Sequence, residues 1–365
     1  MKKIGILTWY KAINHGAVLQ TYASCMMIKN LNCIPIVLDY DWDLSEAYKK
    51  NWRSILGKFN IKKIVWKIRV KKFYSTKEKL FSDFRDKYLP LGRFYLKEEN
   101  MTAVYIGSDM VFDLSEGYNP YMYGINVPAP YIFSYAASFG YTDLKKFIQH
   151  KHHNEIKNAI SKMKSIGYRD DNTKEICTYC SKDVNLVENI DPVLAYGFEK
   201  EINQWDSEKW NNKKYLMIYA YESTMNDIYE VNKIKEIAYK EGLEVISCGY
   251  YHSWCDKCVN ANPKEFIEMI KYAKYVVTDT FHGTVFSLIM HKQVCVIVRR
   301  NGFKIKHLLN SCGMSKLIAS ETNDIEKILH MNNNYEVFDT WRYEESRKSI
   351  EFIKYNINRA MENEQ

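Results

Sequence analysis

From Tyr275 to Ile289 the chain packs a strand, a turn and a helix start into one short run, and few folds accept such a run. Tyr275, Val276, Val277 and Thr278 are apolar or β-branched and predict a short buried strand. Asp279 and Thr280 form a polar turn. His282-Gly283-Thr284 then opens a helix carried by Val285, Phe286, Leu288 and Ile289. A strand that hands over directly to a helix is half of a parallel β-α-β unit. The handover also leaves a histidine, a glycine and hydroxyls where free N–H groups and the positive end of the helix dipole collect, which suits an anion. His282 placed there can move a proton near neutral pH. A helix cap with a buried structural histidine would leave the same pattern.

The same cadence recurs along the chain. Lys3–Thr8 and Ile34–Leu38 read as strands around a helix over Gly16–Leu31. Ala103–Ile106, Tyr131–Tyr135 and Ser165–Tyr168 read as further strands, with a helix over 154–162. After a polar stretch at 199–214 the alternation resumes. Strands are expected at Tyr215–Tyr219, Leu243–Cys248 and Val294–Val298, and helices at 225–240 and 263–273. This predicts two α/β halves, each a parallel sheet with helices on both faces. At 365 residues the chain exceeds one ordinary core. The expected domains are 1–205, with a helical basic insertion at about 42–94, then 206–340, and a closing helix at 341–365 that packs back on the first half.

Four polar clusters follow expected strands: Asn14-His15-Gly16, Ser108-Asp109, Arg169-Asp170 and Asp279 to Thr284. Ligands of open α/β sheets sit beyond the carboxyl ends of the strands, so the clusters predict one cleft between the halves. Singly, Gly16 could serve only a tight turn and Asp170 only a helix cap. None of the clusters is a P-loop or a dinucleotide fingerprint.

Bulk composition narrows the class. With 46% hydrophobic and 26% charged residues the chain is globular. No segment approaches the ~20 apolar residues of a membrane span, and the first apolar run is too short for a signal-peptide core. Nine scattered cysteines suit a reducing compartment, so a cytoplasmic location is expected. The pairs Cys177/Cys180 and Cys255/Cys258 lie too far apart for usual structural zinc spacing, and no metal site is expected. The net charge of +8 is concentrated between Lys58 and Tyr74, where seven basic residues have no acid among them. Apolar residues interleave there, so the run could be a solvated helix or could rest on the anionic inner face of a membrane. No nucleic-acid motif accompanies it.

The clusters resemble those of the polysaccharide pyruvyl transferases. Gly5-Ile6-Leu7-Thr8 with Asn14-His15-Gly16-Ala17-Val18-Leu19-Gln20-Thr21-Tyr22-Ala23 is similar to that family's first motif. Ile106-Gly107-Ser108-Asp109-Met110-Val111-Phe112 resembles its GSDxVW stretch, with Phe112 for Trp. Tyr135-Ala136-Ala137-Ser138-Phe139-Gly140, Arg169-Asp170, Asp191-Pro192 and Asp279-Thr280-Phe281-His282-Gly283-Thr284 also match in order, with Asp170 for Glu and Thr280 for Ser. Lys304 stands before Ile305 where the family often has Arg, which keeps the charge and loses the fork.

The resemblance implies two Rossmann-like halves in a GT-B-like arrangement. It implies transfer of pyruvate from phosphoenolpyruvate to a sugar of a surface polysaccharide, or of its lipid-linked precursor, as a cyclic ketal. No cofactor is then required. Arg169 would grip a carboxylate or phosphate. The His282-Gly283-Thr284 helix start and Lys304 would hold the phosphate. Asn14, His15, Gly16, Ser108 and Thr280 would complete the substrate site. His282 would be the acid, and Asp109 or Asp279 the base. A nucleotide-sugar glycosyltransferase of the same architecture and a non-catalytic assembly protein are the alternatives.

Overall fold

The computed structural model describes residues 1–40, 61–92, 101–115, 117–127, 129–299 and 302–362. Its backbone forms two six-stranded sheets, all of whose pairings are parallel. The first holds β1 (Lys3–Leu7), β2 (Ile34–Val37), β3 (Ala103–Ile106), β4 (Ile132–Ala137), β5 (Ser165–Tyr168) and β6 (Leu186–Glu188), in the order β2-β1-β3-β4-β5-β6. The second holds β7 (Tyr215–Tyr219), β8 (Glu244–Cys248), β9 (Lys257–Val259), β10 (Tyr275–Thr278), β11 (Val294–Ile297) and β12 (Ile318–Ala319), in the order β12-β11-β10-β7-β8-β9. Central strands such as β3, β5, β7 and β10 are buried along their whole length, as continuous apolar runs in a doubly covered parallel sheet must be. The edge strands β6, β9 and β12 are short and half-exposed.

These orders create a switch point in each sheet, between β1 and β3 in the first and between β7 and β10 in the second. Chain direction diverges there, and the loops on the carboxyl side splay to leave a crevice. Both crevices open on the same cleft.

The helix His15–Asn30 is buried on nearly every side because sheet and second half enclose it. Asn14 caps it, its Oδ1 accepting from Ala17 N at 3.3 Å. The helix Ile61–Tyr88 links the halves: Phe81 and Phe84 are buried, and Tyr74 donates to Glu222 at 2.6 Å. Residues 42–60 and 93–94 of the expected insertion lie outside the described residues, as do the side chains of 61–69. Lys71 and Lys72, at the end of the basic run, are exposed.

The closing helix, Glu336–Glu362, returns to the first sheet. Phe352 lies against Phe133 and Tyr135, and Tyr131 donates to Asn356 Oδ1 at 3.0 Å. No described helix is long and apolar enough to cross a membrane.

Candidate active site

A cavity of about 290 Å³ sits where the two switch points meet. Asn14, Asp109 and Met110 reach it from the ends of β1 and β3. Tyr219, Tyr221 and Thr224 reach it from the end of β7, and Asp279, Thr280, Phe281 and His282 from the end of β10. Arg299, Gly302, Lys304 and Ile305 close it after β11.

Two helices of nine residues each begin at this cavity. In Phe281–Ile289, Thr280 caps the first turn by accepting from Gly283 N at 3.0 Å. In Phe303–Ser311 the residue at the cap is Gly302, so no cap side chain bonds to the first turn. Both N-termini supply N–H groups and positive partial charge to one space.

Charge is organised around Asp109. Its Oδ1 accepts from Arg169 Nη2 and from Lys304 Nζ, the latter at 3.2 Å. Burial opposes its ionisation, but Lys304, Arg169 and His282 together outweigh burial and hold the carboxyl well below the usual range. Arg169 also donates from Nη1 to Asp191 Oδ2 at 2.8 Å and stacks over the Phe281 ring. Lys304 is pushed down to about 8, chiefly by burial and then by Arg169, with Asp109 acting against the shift.

Asp279 has the opposite balance. Its Oδ1 accepts from Tyr221 N at 3.1 Å and its Oδ2 from the Thr224 hydroxyl. Arg299 Nε lies 3.8 Å away, but that guanidinium is bound forkwise to Glu230 at 2.8 and 2.7 Å. Burial dominates and raises the Asp279 carboxyl.

His282 is buried in the first helical turn, with Nε2 3.6 Å from Asp191 Oδ2. Its Nδ1 lies where an alanine at Gly16 would place Cβ, 1.9 Å away. Gly16 therefore makes room for the imidazole between the two helices.

Several expected ligands have other work. His15 does not line the cavity. It is fully buried, with Nε2 2.8 Å from Ala261 O, Nδ1 3.2 Å from the Tyr219 hydroxyl, and its ring stacked on Phe266. It pins the first half to the second, and burial pushes its pKa down to about 3. Ser108 is buried and bonded through Oγ to Gln20 Oε1 at 2.8 Å. Thr284 donates to Thr280 O at 2.9 Å within its own helix. Gly283 has no room for a Cβ, which would lie 2.3 Å from Thr278 Oγ1. Both amino groups of the Arg169 fork are bonded within the protein, Nη2 to Asp109 and Nη1 to Asp191. Asp170 caps the helix Asp171–Cys180, accepting from Thr173 N at 2.8 Å.

The structure also adds Tyr141, Tyr221, Thr224 and Arg299 to the cavity wall, and Asp191 behind His282. Tyr221 and Arg299 follow β7 and β11, so the strand-end rule applied to those strands would have found them. Among the described residues no three His, Cys, Asp or Glu side chains gather as a metal site.

Two parallel Rossmann-like sheets facing a polar cleft define a GT-B-like protein. Solved structures agree on the fold. The Staphylococcus aureus MnaA structure with UDP has a TM-score of 0.53 and 12% identity, covering 98% of this chain and 97% of that one. The Methanocaldococcus jannaschii UDP-GlcNAc 2-epimerase in complex with UDP-GlcNAc and UDP has a TM-score of 0.52 and 12% identity, covering 97% and 100%. No curated protein sequence matches the chain. The chain belongs to the polysaccharide pyruvyl transferase family, whose sequence model matches residues 14–301.

Proposed function

We propose that this enzyme transfers the pyruvyl group of phosphoenolpyruvate to two hydroxyls of one sugar, forming a cyclic ketal and releasing phosphate. The observation that carries the reading is the convergence of two helix N-termini and Lys304 on one cavity that also holds His282 and Asp279. A doubly anionic donor needs the first group, and acid–base chemistry needs the second.

The donor phosphate and carboxylate sit against the two helix starts and Lys304. His282 turns from Asp191 toward the cavity and gives a proton to the donor methylene carbon. Positive charge develops at C2, and a sugar hydroxyl attacks it. Asp279 takes the hydroxyl proton. It is the better base of the two carboxylates, because burial raises its proton affinity while Asp109 is held ionised by two cations. The C2–O bond to phosphate then breaks, and a second hydroxyl closes the ring. The two hydroxyl protons balance the one added to carbon and the one leaving with phosphate. Asp109 holds Arg169 and Lys304 in place.

The test is calorimetry and thermal shift with phosphoenolpyruvate against a set of nucleotide sugars. Donor at about 100 times its dissociation constant adds ~2.7 kcal/mol of stability. A shift with a nucleotide sugar alone would make the chain a glycosyltransferase. No shift with either would make it a non-catalytic member.

A further inference from the structure

Beyond Arg169 and Phe281 the cleft continues into a second cavity of about 330 Å³, walled by the end of β6, the helix Phe303–Ser311 and the closing helix. Phe281 and Lys304 line both chambers. Two side-chain pairs span the partition: Asp109 faces the first chamber and Arg169 the second, while His282 faces the first and Asp191 the second.

The second chamber differs in chemistry. His307, Leu308 and Ser311 of the helix Phe303–Ser311 and Trp341, Glu345 and Lys348 of the closing helix line it along one side. Its rim charges cancel in pairs: His307 lies 3.2 Å from Glu188, and Lys348 2.6 Å from Glu345. Asn189 is 2% exposed, and neither its amide oxygen nor its amide nitrogen has a hydrogen-bond partner among the described residues. Arg169 Nε, also buried, has none. Buried polar groups are normally partnered, and an amide that can both donate and accept matches a hydroxyl. Trp341 and Phe281 add apolar ring surface. Charges paired with one another, an unpartnered amide and aromatic ring surface together suit a sugar ring. The Lys348 side chain is 61% exposed, so the chamber opens to solvent and a longer chain can leave it.

We propose that the second chamber seats one sugar ring of the acceptor, its reacting hydroxyls turned across Phe281 and Lys304 toward the first. The proposal rests on the pyruvyl-transfer reading for what happens to that sugar, while the binding itself is separately measurable.

The test uses saturation-transfer NMR of the full chain with the methyl glycosides of galactose, glucose, mannose and N-acetylglucosamine. Phosphoenolpyruvate affinity is measured on the same samples by calorimetry. At least one glycoside should contact the wild-type protein, and Trp341→Ala should weaken it ~10-fold. Glu345→Gln, at the rim, keeps the helix surface polar and should weaken the same glycoside if Trp341→Ala proves unstable. Donor affinity should stay within about twofold in both variants. Failure of every glycoside to contact the wild type would overturn the proposal. So would glycoside binding that persists unchanged in both variants, or a loss confined to the donor. If phosphoenolpyruvate does not bind while glycosides still depend on Trp341, the donor reading fails and the sugar chamber stands.

Discussion

Asp109 and Asp279 occupy equivalent places in the two halves and behave in opposite ways. Each follows a strand at its sheet's switch point, β3 in one and β10 in the other, and each lines the same cavity. Asp109 meets two cations and is held ionised. Asp279 meets a backbone N–H and a hydroxyl, with its nearest guanidinium bound to Glu230, and burial raises it. One topology thus yields a carboxyl whose pKa is lowered and one whose pKa is raised. The neighbours that side chains bring from other elements decide which is which.

The largest effect should separate the two as catalysts. Asp279→Asn should lower kcat ~10²–10⁴-fold with little change in donor affinity, as should His282→Ala. Loss of less than about tenfold in kcat would remove Asp279 from the base role.

Stability should reverse the ranking. Asp109→Asn leaves Lys304 without its ion pair and Arg169 with Asp191 alone, and should cost ~3 kcal/mol in urea unfolding. Asp279→Asn removes a carboxylate that burial already disfavours and should stay within ~1 kcal/mol of wild type. The sign with pH follows from the depressed Asp109: its contribution is present above the unfolded carboxyl value of ~3.9 and is lost as pH falls below it. The gap between wild type and Asp109→Asn should therefore close in acid. Equal destabilisation by the two substitutions would erase the contrast.

Gly16→Ala tests the link between the halves. Its methyl group would displace His282 without touching any charge, and should lower kcat ~10²-fold with the far-UV spectrum unchanged. Full activity would mean that His282 need not sit where it does.

The smallest effect concerns Lys304. Its pKa near 8 means that its positive charge, and with it donor affinity, is present below that pH and lost above it. Lys304→Arg should flatten this profile, because arginine stays charged. Calorimetry at neutral and alkaline pH reads the difference, and identical profiles would place the donor away from Lys304.

Much of the scaffold was legible. β3, β5, β7 and β10 match their expected ranges because continuous apolar runs between polar turns have one good solution in a covered parallel sheet. The edge strands β6, β9 and β12 were missed, since two or three half-exposed residues carry no periodicity. The clusters at strand ends were legible as well, because the rule that places them needs only local order.

Which members of those clusters face the cavity was decided by tertiary structure. His15 and His282 both begin helices at strand ends, yet one is clamped against Phe266 and Ala261 and the other lines the cavity. Arg169 offers a fork to any anion in the sequence, and folding fills it with Asp109 and Asp191. The sequence determined strands, helix starts and the residue types that gather beyond the sheets, since these follow from near neighbours. Burial and charge pairing come from residues tens to hundreds of positions away, and they alone set apart two histidines and two aspartates that local order leaves alike.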